Sequence, residues 1–177
     1  MGAIGGFINL GGGSVERARL ELMRDALVPY GADSQSIRIC GSAGMVSCRL
    51  TIMEEDGHDR QPLESEAGHG VRLMAFDGRL DNRDELADWL GLESASLAQM
   101  ADSAVVRAAL AQNPDKAMPR LLGDFALAWW DDRQNRLHLA RDPTGVRPLF
   151  WSRNGATVAF ASVPAGLLAL PEMPVAI

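Results

Sequence analysis

The segment at residues 124–131 places the strongest constraint on the fold, because six consecutive apolar residues lie between two aspartates. A strand that is apolar on both faces needs another layer packed against each face. Short apolar or alternating segments predict further strands at 3–9, 36–39, 44–52, 71–76, 136–140, 148–151 and 157–160. The strands form two blocks, with helices before, between and after them. The sequence therefore predicts an α+β domain in which two antiparallel sheets pack face to face, with helices outside.

The helices are predicted from apolar residues at helical spacing and from capping residues. Ser14 is placed to cap a helix over 15–28. Asn82, with Glu85 three residues later, forms a capping-box pattern at the start of a short helix that ends at Gly91. Asp102 begins the next helix. Two more short helices are predicted, one ending at 122–123 and one over 163–169.

Length and charge exclude several classes of function. A chain of 177 residues suggests one domain over 1–177, and a net charge of −6 argues against a nucleic-acid or anionic-membrane surface. No apolar run approaches the ~18 residues of a membrane-spanning helix, and we expect no signal peptide because the sequence shows no charged-then-apolar pattern. The two cysteines, Cys40 and Cys48, form no disulfide framework, so we expect a cytoplasmic protein. The polar stretch at 54–62 is predicted to be a mobile loop, and the spacing of His58, His69 and His138 fits no metal motif.

The first strand begins almost at the start of the chain. Because an initiator methionine before glycine is normally removed, we expect the mature chain to begin at Gly2. A buried terminus can place its α-amino group, with a pKa near ~8, as a base in a site. That arrangement also needs a nucleophilic side chain on the first residue, and glycine has none.

The order of motifs resembles the glutaminase domain of asparagine synthetases, a class II glutamine amidotransferase with the N-terminal-nucleophile fold. The resemblance covers essentially the whole chain. It is carried by the segments at 4–7 (IGGF), 31–33 (GAD), 49–52 (RLTI), 76–82 (FDGRLDN), 123–126 (GDFA), 140–149 (ARDPTGVRPL) and 160–162 (FAS), together with Asp102. It implies a four-layer α/β/β/α sandwich.

The resemblance also implies a chemistry. In active members a cysteine after the initiator methionine attacks the amide carbon of glutamine, with its own α-amino group as base. An arginine and an aspartate hold the glutamine's α-carboxylate and α-amino group, and an asparagine side chain and a glycine amide form the oxyanion hole. The ammonia crosses to a C-terminal synthetase domain that adenylates a carboxylate. ATP and magnesium are therefore expected only in that domain, and no cofactor or metal in this one.

The catalytic positions of this chain depart from the family pattern. Gly2 stands where the nucleophile should be, and Asp77 replaces the oxyanion asparagine, where it would place negative charge beside the developing oxyanion. Gly78 is kept, and Arg79 replaces the acidic residue that usually follows. The vestigial glutamine pocket is predicted to consist of Arg49, Leu50, Thr51, Ile52, Asp77, Gly78, Arg79 and Asp102, in which Arg49 and Asp102 match the amino-acid-gripping pair. We expect no glutaminase activity.

The pattern of these changes resembles asparagine-synthetase-like enzymes of natural-product pathways, such as lasso-peptide cyclases and β-lactam synthetases. These enzymes let an internal amine attack the adenylated carboxylate, so they need no ammonia. The chain is expected to be an excised domain or a stand-alone relic, because it has no Ser-Gly-Gly-x-Asp-Ser pyrophosphate loop and stops where the first domain would end. The expected partners are a C-terminal synthetase domain, a precursor peptide and a second copy of the chain.

Several alternatives stay open at this point. Arg49 and Asp102 could still bind an amino acid or peptide as a stand-alone module, but leftover polar groups, or a helix cap in the case of Asp102, are favoured. Asp77 is favoured to form a tight Asp-Gly turn, and an ion pair with Arg79 or Arg49 would occupy the old site. Cys48 could be a substitute nucleophile, since the adjacent arginine would lower its thiol pKa, but a buried structural cysteine is favoured.

Two further interpretations concern the second half of the chain. Trp129 and Trp130 are expected to be divided between core and sheet surface, and an exposed tryptophan would mark an interface with a synthetase domain. Arg141 and Asp142 are expected to lock a turn as a buried ion pair.

Overall fold

The computed structural model describes residues 2–51, 59–67 and 70–173. Within these residues, short 3-10 helices lie at Val28–Tyr30 and Met118–Arg120. The strands and α-helices run in the order β1 (Ala3–Asn9), α1 (Arg17–Leu27), β2 (Ser34–Cys40), β3 (Ala43–Arg49), β4 (Leu63–Ala67), β5 (Gly70–Leu80), α2 (Arg83–Leu90), α3 (Ser94–Leu97), α4 (Asp102–Gln112), α5 (Pro114–Ala117), β6 (Gly123–Asp131), β7 (Arg136–Arg141), β8 (Phe150–Asn154), β9 (Thr157–Ala161) and α6 (Pro164–Leu168).

The strands form two antiparallel sheets. Sheet A has five strands in the order β2-β3-β1-β9-β8, and sheet B has four in the order β4-β5-β6-β7. The N-terminal strand lies in the middle of sheet A, with Ile4 opposite Ser47 of β3 and Gly5 opposite Ala161 of β9. The centre of sheet B is the β5–β6 pair, in which Asp77 lies opposite Ala126.

Three clusters of buried residues show how the layers pack. Ile4, Met45, Leu73, Trp130 and Phe160 belong to the cluster between the two sheets. A second cluster joins the outer face of sheet A to α1 and α6, and a third joins the outer face of sheet B to α2, α4 and α5. The predicted α+β sandwich of two antiparallel sheets is confirmed, with the helices outside.

Strand β6 is covered on both faces, as its run of apolar residues predicted. Its alternate side chains Phe125, Leu127 and Trp129 pack toward the helices, whereas Trp130 packs toward sheet A. Both tryptophans are fully buried, so the expectation that one of them reaches the sheet surface is wrong. Strong alternation is absent from such a strand because neither face meets water. The large exposed aromatics in this part of the chain are Phe150 and Trp151 of β8.

Two capping predictions are wrong in detail. Helix α1 begins at Arg17 after Glu16, and no side chain caps it, so Ser14 has no such role. Asn82 is the N-cap residue of α2, but its side-chain oxygen accepts from the backbone N–H of Leu122 at 3.1 Å. Its amide nitrogen lies 3.3 Å from the Glu85 carboxylate. Asn82 therefore fastens the start of α2 to the segment before β6. The predicted end of α2 at Gly91 is confirmed, with this glycine at φ 68°.

Strand β4 was not predicted, and it is an edge strand of sheet B that pairs with β5 from Leu63 opposite Met74 to Ala67 opposite Gly70. The polar stretch predicted as a loop just before it lies partly outside the described residues. Its described part, 59–62, contains the buried side chain of Gln61, so this part is packed against the domain. In the described part of the chain no helix is long and apolar enough to cross a membrane.

Candidate functional site

A cleft of about 810 Å³ opens where the ends of the two sheets meet α2–α4. It lies at the start of β1, at the end of β3 and along the last residues of β5. The predicted residues that line it are Gly2, Arg49, Leu50, Asp77, Gly78, Arg79 and Asp102. Thr51 does not line the cleft; its backbone N–H donates to the Asp33 carboxylate at 2.9 Å. Ile52 lies outside the described residues.

The centre of the cleft is a close contact between Gly2 and Asp77. The backbone nitrogen of Gly2 donates to Asp77 Oδ1 at 3.0 Å. A Cβ atom placed on Gly2 would lie 2.7 Å from that same oxygen and 2.9 Å from the carbonyl oxygen of Cys48. The Asp77 carboxylate and the β3 backbone therefore fill the space that a side chain at position 2 would need.

Asp77 lies inside strand β5, so the favoured prediction of a tight Asp-Gly turn is wrong. Its ionic partner is Arg147, whose Nη1 lies 3.3 Å from Oδ2. Arg79 and Arg49, the two partners considered from the sequence, pair with Asp81 and Asp59. The side chains of Asp77 and Arg147 are only 13% and 16% exposed. Burial raises the pKa of Asp77, and the guanidinium of Arg147 and the Gly2 N–H oppose that rise.

Arg147 is held in position by the turn that follows β7. The buried carboxylate of Asp142 accepts from the Thr144 hydroxyl at 2.6 Å and from the backbone N–H of Arg147 at 2.9 Å. Burial by itself raises the pKa of Asp142, but these donors and the N–H of Val146 outweigh it and hold the pKa well below its usual range. The turn is locked by hydrogen bonds from its own backbone, so the predicted Arg141–Asp142 ion pair is wrong.

Gly78 and Arg79 continue β5 along the rim of the cleft. A Cβ atom on Gly78 would lie 2.3 Å from the carbonyl oxygen of Asp124, so the neighbouring strand β6 requires glycine there. Arg79 is 66% exposed and pairs with Asp81 at 2.9 Å. The Arg79–Asp81 pair is exposed at the rim and is separate from the contact between Gly2 and Asp77.

Arg49 is paired with a residue that the sequence analysis missed. Its Nη1 lies 3.8 Å from Asp59 Oδ2, and the two side chains are 15% and 11% exposed. Asp59 also accepts from the Ser103 hydroxyl and from Gln61 Nε2, each at 2.7 Å. Gln61 Oε1 in turn accepts from the backbone N–H of Phe76 at 2.6 Å. A short polar segment therefore connects β3, β5 and α4 along one wall.

Asp102, the residue before Ser103 in α4, is paired in the same way. It is the first residue of α4, which follows the N-cap residue Ala101, so it is not itself the cap. Its Oδ2 accepts from the backbone N–H of Leu80 at 2.7 Å, and its Oδ1 accepts from the guanidinium of Arg83. Arg49 and Asp102 line one cleft, as the resemblance implied, but each already has an ionic partner within the chain.

Cys48 has the geometry of a structural cysteine. Its side chain belongs to the core cluster on the outer face of sheet A, and Sγ lies 3.8 Å from the carbonyl oxygen of Arg24. Burial raises the pKa of the Cys48 thiol to about 11, with Arg24 opposing the rise. The hypothesis that the adjacent arginine gives Cys48 a lowered thiol pKa is therefore wrong, because burial outweighs the effect of the nearby cation. The favoured interpretation, a buried cysteine, agrees with its 1% exposure.

Three missed residues shape the cleft, and the sequence offered little to find them. Arg147 lies in a segment that carries the family resemblance, but its pairing with Asp77 spans 70 residues. Asp59 lies in a polar stretch without periodicity, and Arg83 is an ordinary first-turn residue of α2. Over residues 2–51, 59–67 and 70–173, no three histidine, cysteine, aspartate or glutamate side chains are grouped to hold a metal ion.

The architecture matches that of known amidotransferases. Glutamine phosphoribosylpyrophosphate amidotransferase from Bacillus subtilis superposes with a TM-score of 0.73 over 98% of this chain and 44% of that chain, at 16% sequence identity. A structure described as the allosteric regulatory enzyme of purine biosynthesis superposes with a TM-score of 0.69, also at 16% identity and over the same shares of the two chains. The chain therefore has the N-terminal-nucleophile fold of these amidotransferases.

Sequence comparison gives the family. The sequence model of the glutamine amidotransferase domain family matches residues 1–177. The chain therefore belongs to the glutamine amidotransferase domain family. It is 26% identical over 158 residues to asparagine synthetase 3 of Bacillus subtilis, covering 89% of this chain and 26% of that protein. It is 34% identical over 129 residues to a putative asparagine synthetase of Mycobacterium tuberculosis, covering 71% of this chain and 20% of that protein. The chain thus spans about a quarter or less of these relatives.

Proposed function

We propose that this domain does not hydrolyse glutamine, and that it supports the synthetase domain of an ATP-dependent, amide-forming ligase of the asparagine synthetase family. The observation that carries the proposal is the contact between Gly2 and Asp77. Position 2 has no nucleophilic side chain, and the space for one is filled by the Asp77 carboxylate, 2.7 Å from where Cβ would lie.

The electrostatics of the cleft support the loss of hydrolysis. A carboxylate at position 77 presents negative charge where the resemblance calls for a donor to an oxyanion. Loss of one such donor typically lowers kcat by about 10²–10³. Arg147 is paired with Asp77, and its Nη1 lies 3.3 Å from Oδ2 and 3.5 Å from Oδ1. The positive charge of Arg147 is therefore already paired within the chain.

The proposed partner follows from the relatives. They are asparagine synthetases, and this chain covers 26% or less of those cited above. We propose that ATP and magnesium bind in a synthetase domain of that kind, and that the ligase acts in the cytoplasm. The loss of an ammonia-producing site fits a ligase whose nucleophile is an amine of its own substrate. A lasso-peptide macrocyclase is the parent enzyme that we favour, with the precursor peptide as substrate.

The rival of an active amidohydrolase that uses Cys48 finds no support in the geometry. The thiol lies on the outer face of sheet A, is 1% exposed and has a pKa raised to about 11. A thiol with that pKa holds a negligible thiolate fraction near neutral pH. For the thiol to attack a substrate in the cleft, β3 would have to rotate so that the Cys48 side chain left the outer face of sheet A.

The test of inactivity is glutamate and ammonia release from glutamine by the purified protein, with Arg49→Ala as the matched pocket variant. We expect both proteins to remain at the level of the buffer. Gly2→Cys alone is expected to remain there too, because Asp77 still occupies the side-chain space. Turnover by the wild-type protein above that of Arg49→Ala would overturn the proposal.

The ligase role has a separate test in the full-length parent enzyme. With ATP, magnesium and the precursor peptide, we expect cyclisation without glutamine or ammonia. Deletion of residues 1–177 is expected to abolish it, whereas Gly2→Ala retains it. A requirement for glutamine in the same assay would contradict the proposed role.

A further inference from the structure

We propose that Asp59 and Arg83 occupy, from within the chain, the two places where the cleft would hold the charged groups of an α-amino acid, and that they exclude free glutamine from it. The inference rests on the proposed function, a domain that has lost glutamine hydrolysis, and on the resemblance that makes Arg49 and Asp102 the remnants of the amino-acid-holding pair. Asp59 and Arg83 are then the residues that determine what the cleft accepts.

The cationic side of the cleft is occupied by Asp59. Its carboxylate lies 3.8 Å from the guanidinium of Arg49, where an α-carboxylate would bind. Asp59 does not depend on Arg49 for its position, because Ser103 and Gln61 each donate to it at 2.7 Å. A ligand carboxylate must therefore displace a fixed carboxylate or lie beside it, and like charges at short range repel strongly in a partly buried site.

The anionic side of the cleft is occupied by Arg83. Its guanidinium donates to Asp102 through Nη1. Its Nη2 donates to the carbonyl oxygens of Leu97 at 2.9 Å and Met100 at 2.7 Å. Three acceptors thus hold Arg83 in one orientation, and the remaining oxygen of Asp102 takes the Leu80 N–H at 2.7 Å. An incoming ammonium group would meet a carboxylate that is already paired with a cation.

Because Asp59 pairs with Arg49 and Arg83 pairs with Asp102, these charged groups of the cleft are already paired within the chain. Asp77 is satisfied by Gly2 and Arg147 in the same way. A zwitterion gains little by entering such a site, because each of its charges would replace an existing pair at the cost of its own hydration. Asp59 lies in the segment before β4 and Arg83 in the first turn of α2, so neither residue belongs to a central strand of either sheet.

The experiment is calorimetric titration with glutamine of the wild-type protein, Asp59→Asn, Arg83→Gln and the double variant. We expect no saturable heat with the wild-type protein at millimolar glutamine. Relative to the lower limit that this titration sets on the wild-type Kd, each single variant is expected to bind glutamine at least about five- to ten-fold more tightly, and the double variant more than ten-fold more tightly. Adding Arg49→Ala to the double variant should abolish the gain, because the ligand carboxylate then loses its partner.

The matched control removes one carboxylate and one guanidinium elsewhere. Asp115→Asn with Arg136→Gln changes the net charge equally but removes the exposed Arg136–Asp115 pair, whose residues do not line the cleft. This control is expected to bind as weakly as the wild-type protein. If the double variant does not fold, as judged by circular dichroism, the two single variants carry the same test.

The outcomes separate this inference from the proposed function. Saturable glutamine binding by the wild-type protein, or folded variants without any gain in affinity, would overturn the inference and leave the inactivity of the domain intact. Ammonia release by any of these proteins would instead overturn the proposed function. A gain in binding without hydrolysis supports both.

Discussion

Substitution of Gly2 by alanine tests the steric argument with a single atom. The new Cβ would lie 2.7 Å from Asp77 Oδ1 and 2.9 Å from the Cys48 carbonyl oxygen, whereas ordinary contacts begin near 3.4 Å. Overpacking of this kind costs about 1–3 kcal/mol. The lower chain entropy of the unfolded alanine variant returns about 0.4–1 kcal/mol. We therefore expect the free energy of unfolding to fall by about 1–2 kcal/mol.

The assay is urea denaturation followed by circular dichroism, with the thermal midpoint as a second measure. For a domain of this size a loss of this magnitude lowers Tm by about 2–8 °C. Gly11→Ala is the matched control, because its Cβ would lie no closer than 3.2 Å to any neighbour. Its effect is expected to stay within about 0.5 kcal/mol.

A double-mutant cycle identifies Asp77 as the cause. In an Asp77→Ala background one of the two close oxygens is gone, so Gly2→Ala should cost about 1 kcal/mol less than in the wild-type background. An equal cost in both backgrounds, or a Gly2→Ala protein as stable as the wild type, would refute the claim that the carboxylate fills the space beside Gly2.

Three further predictions concern the thiols, the acid response and the wall of the cleft. Alkylation near neutral pH, followed by mass spectrometry, should modify the half-buried Cys40 before the buried Cys48. Cys48 is expected to react only when the domain unfolds. Preferential labelling of Cys48 in the folded protein would support the hypothesis that it is a nucleophile. Asp142 binds its proton less readily in the folded state, so it contributes stability that is complete above about pH 4 and is lost as the pH falls toward its depressed pKa. Asp142→Asn should therefore be less stable at pH 7 and show a shallower decline in acid denaturation, and parallel curves would contradict this. Gln61→Ala removes the acceptor of the Phe76 N–H and should cost about 1–3 kcal/mol in urea denaturation, with faster hydrogen exchange at Phe76; unchanged exchange there would count against the pairing.

Most of the fold could be predicted because its signals are local. The apolar run at β6 required cover on both faces, and the hairpins and helix ends are marked by turn residues and glycines. Strand β4 was missed because Leu63–Ala67 contains two glutamates and lies at a sheet edge, where little apolar surface is needed. The prediction that Ser14 caps α1 was wrong. The helix begins after Glu16, whose side chain makes no capping hydrogen bond, and the packing of its apolar face stabilises the helix instead.

The candidate site was predictable in its members but not in its pairs. The predicted residues Arg49, Asp77 and Asp102 do line one cleft. Their partners could not be predicted, because charged side chains show no periodicity that indicates what they will meet. Asp77 and Arg147 meet only because β5 and the turn after β7 converge at one end of sheet B.

The sequence by itself determined the layered architecture and the absence of a side chain at position 2, because strand periodicity and residue identity are local properties. The tertiary structure alone decided that Asp77 fills the space beside Gly2 and that Asp59 and Arg83 pair with Arg49 and Asp102. Those contacts depend on the register of β5 against β6 and on how the two sheets face each other. Side chains from distant segments meet only after both have formed.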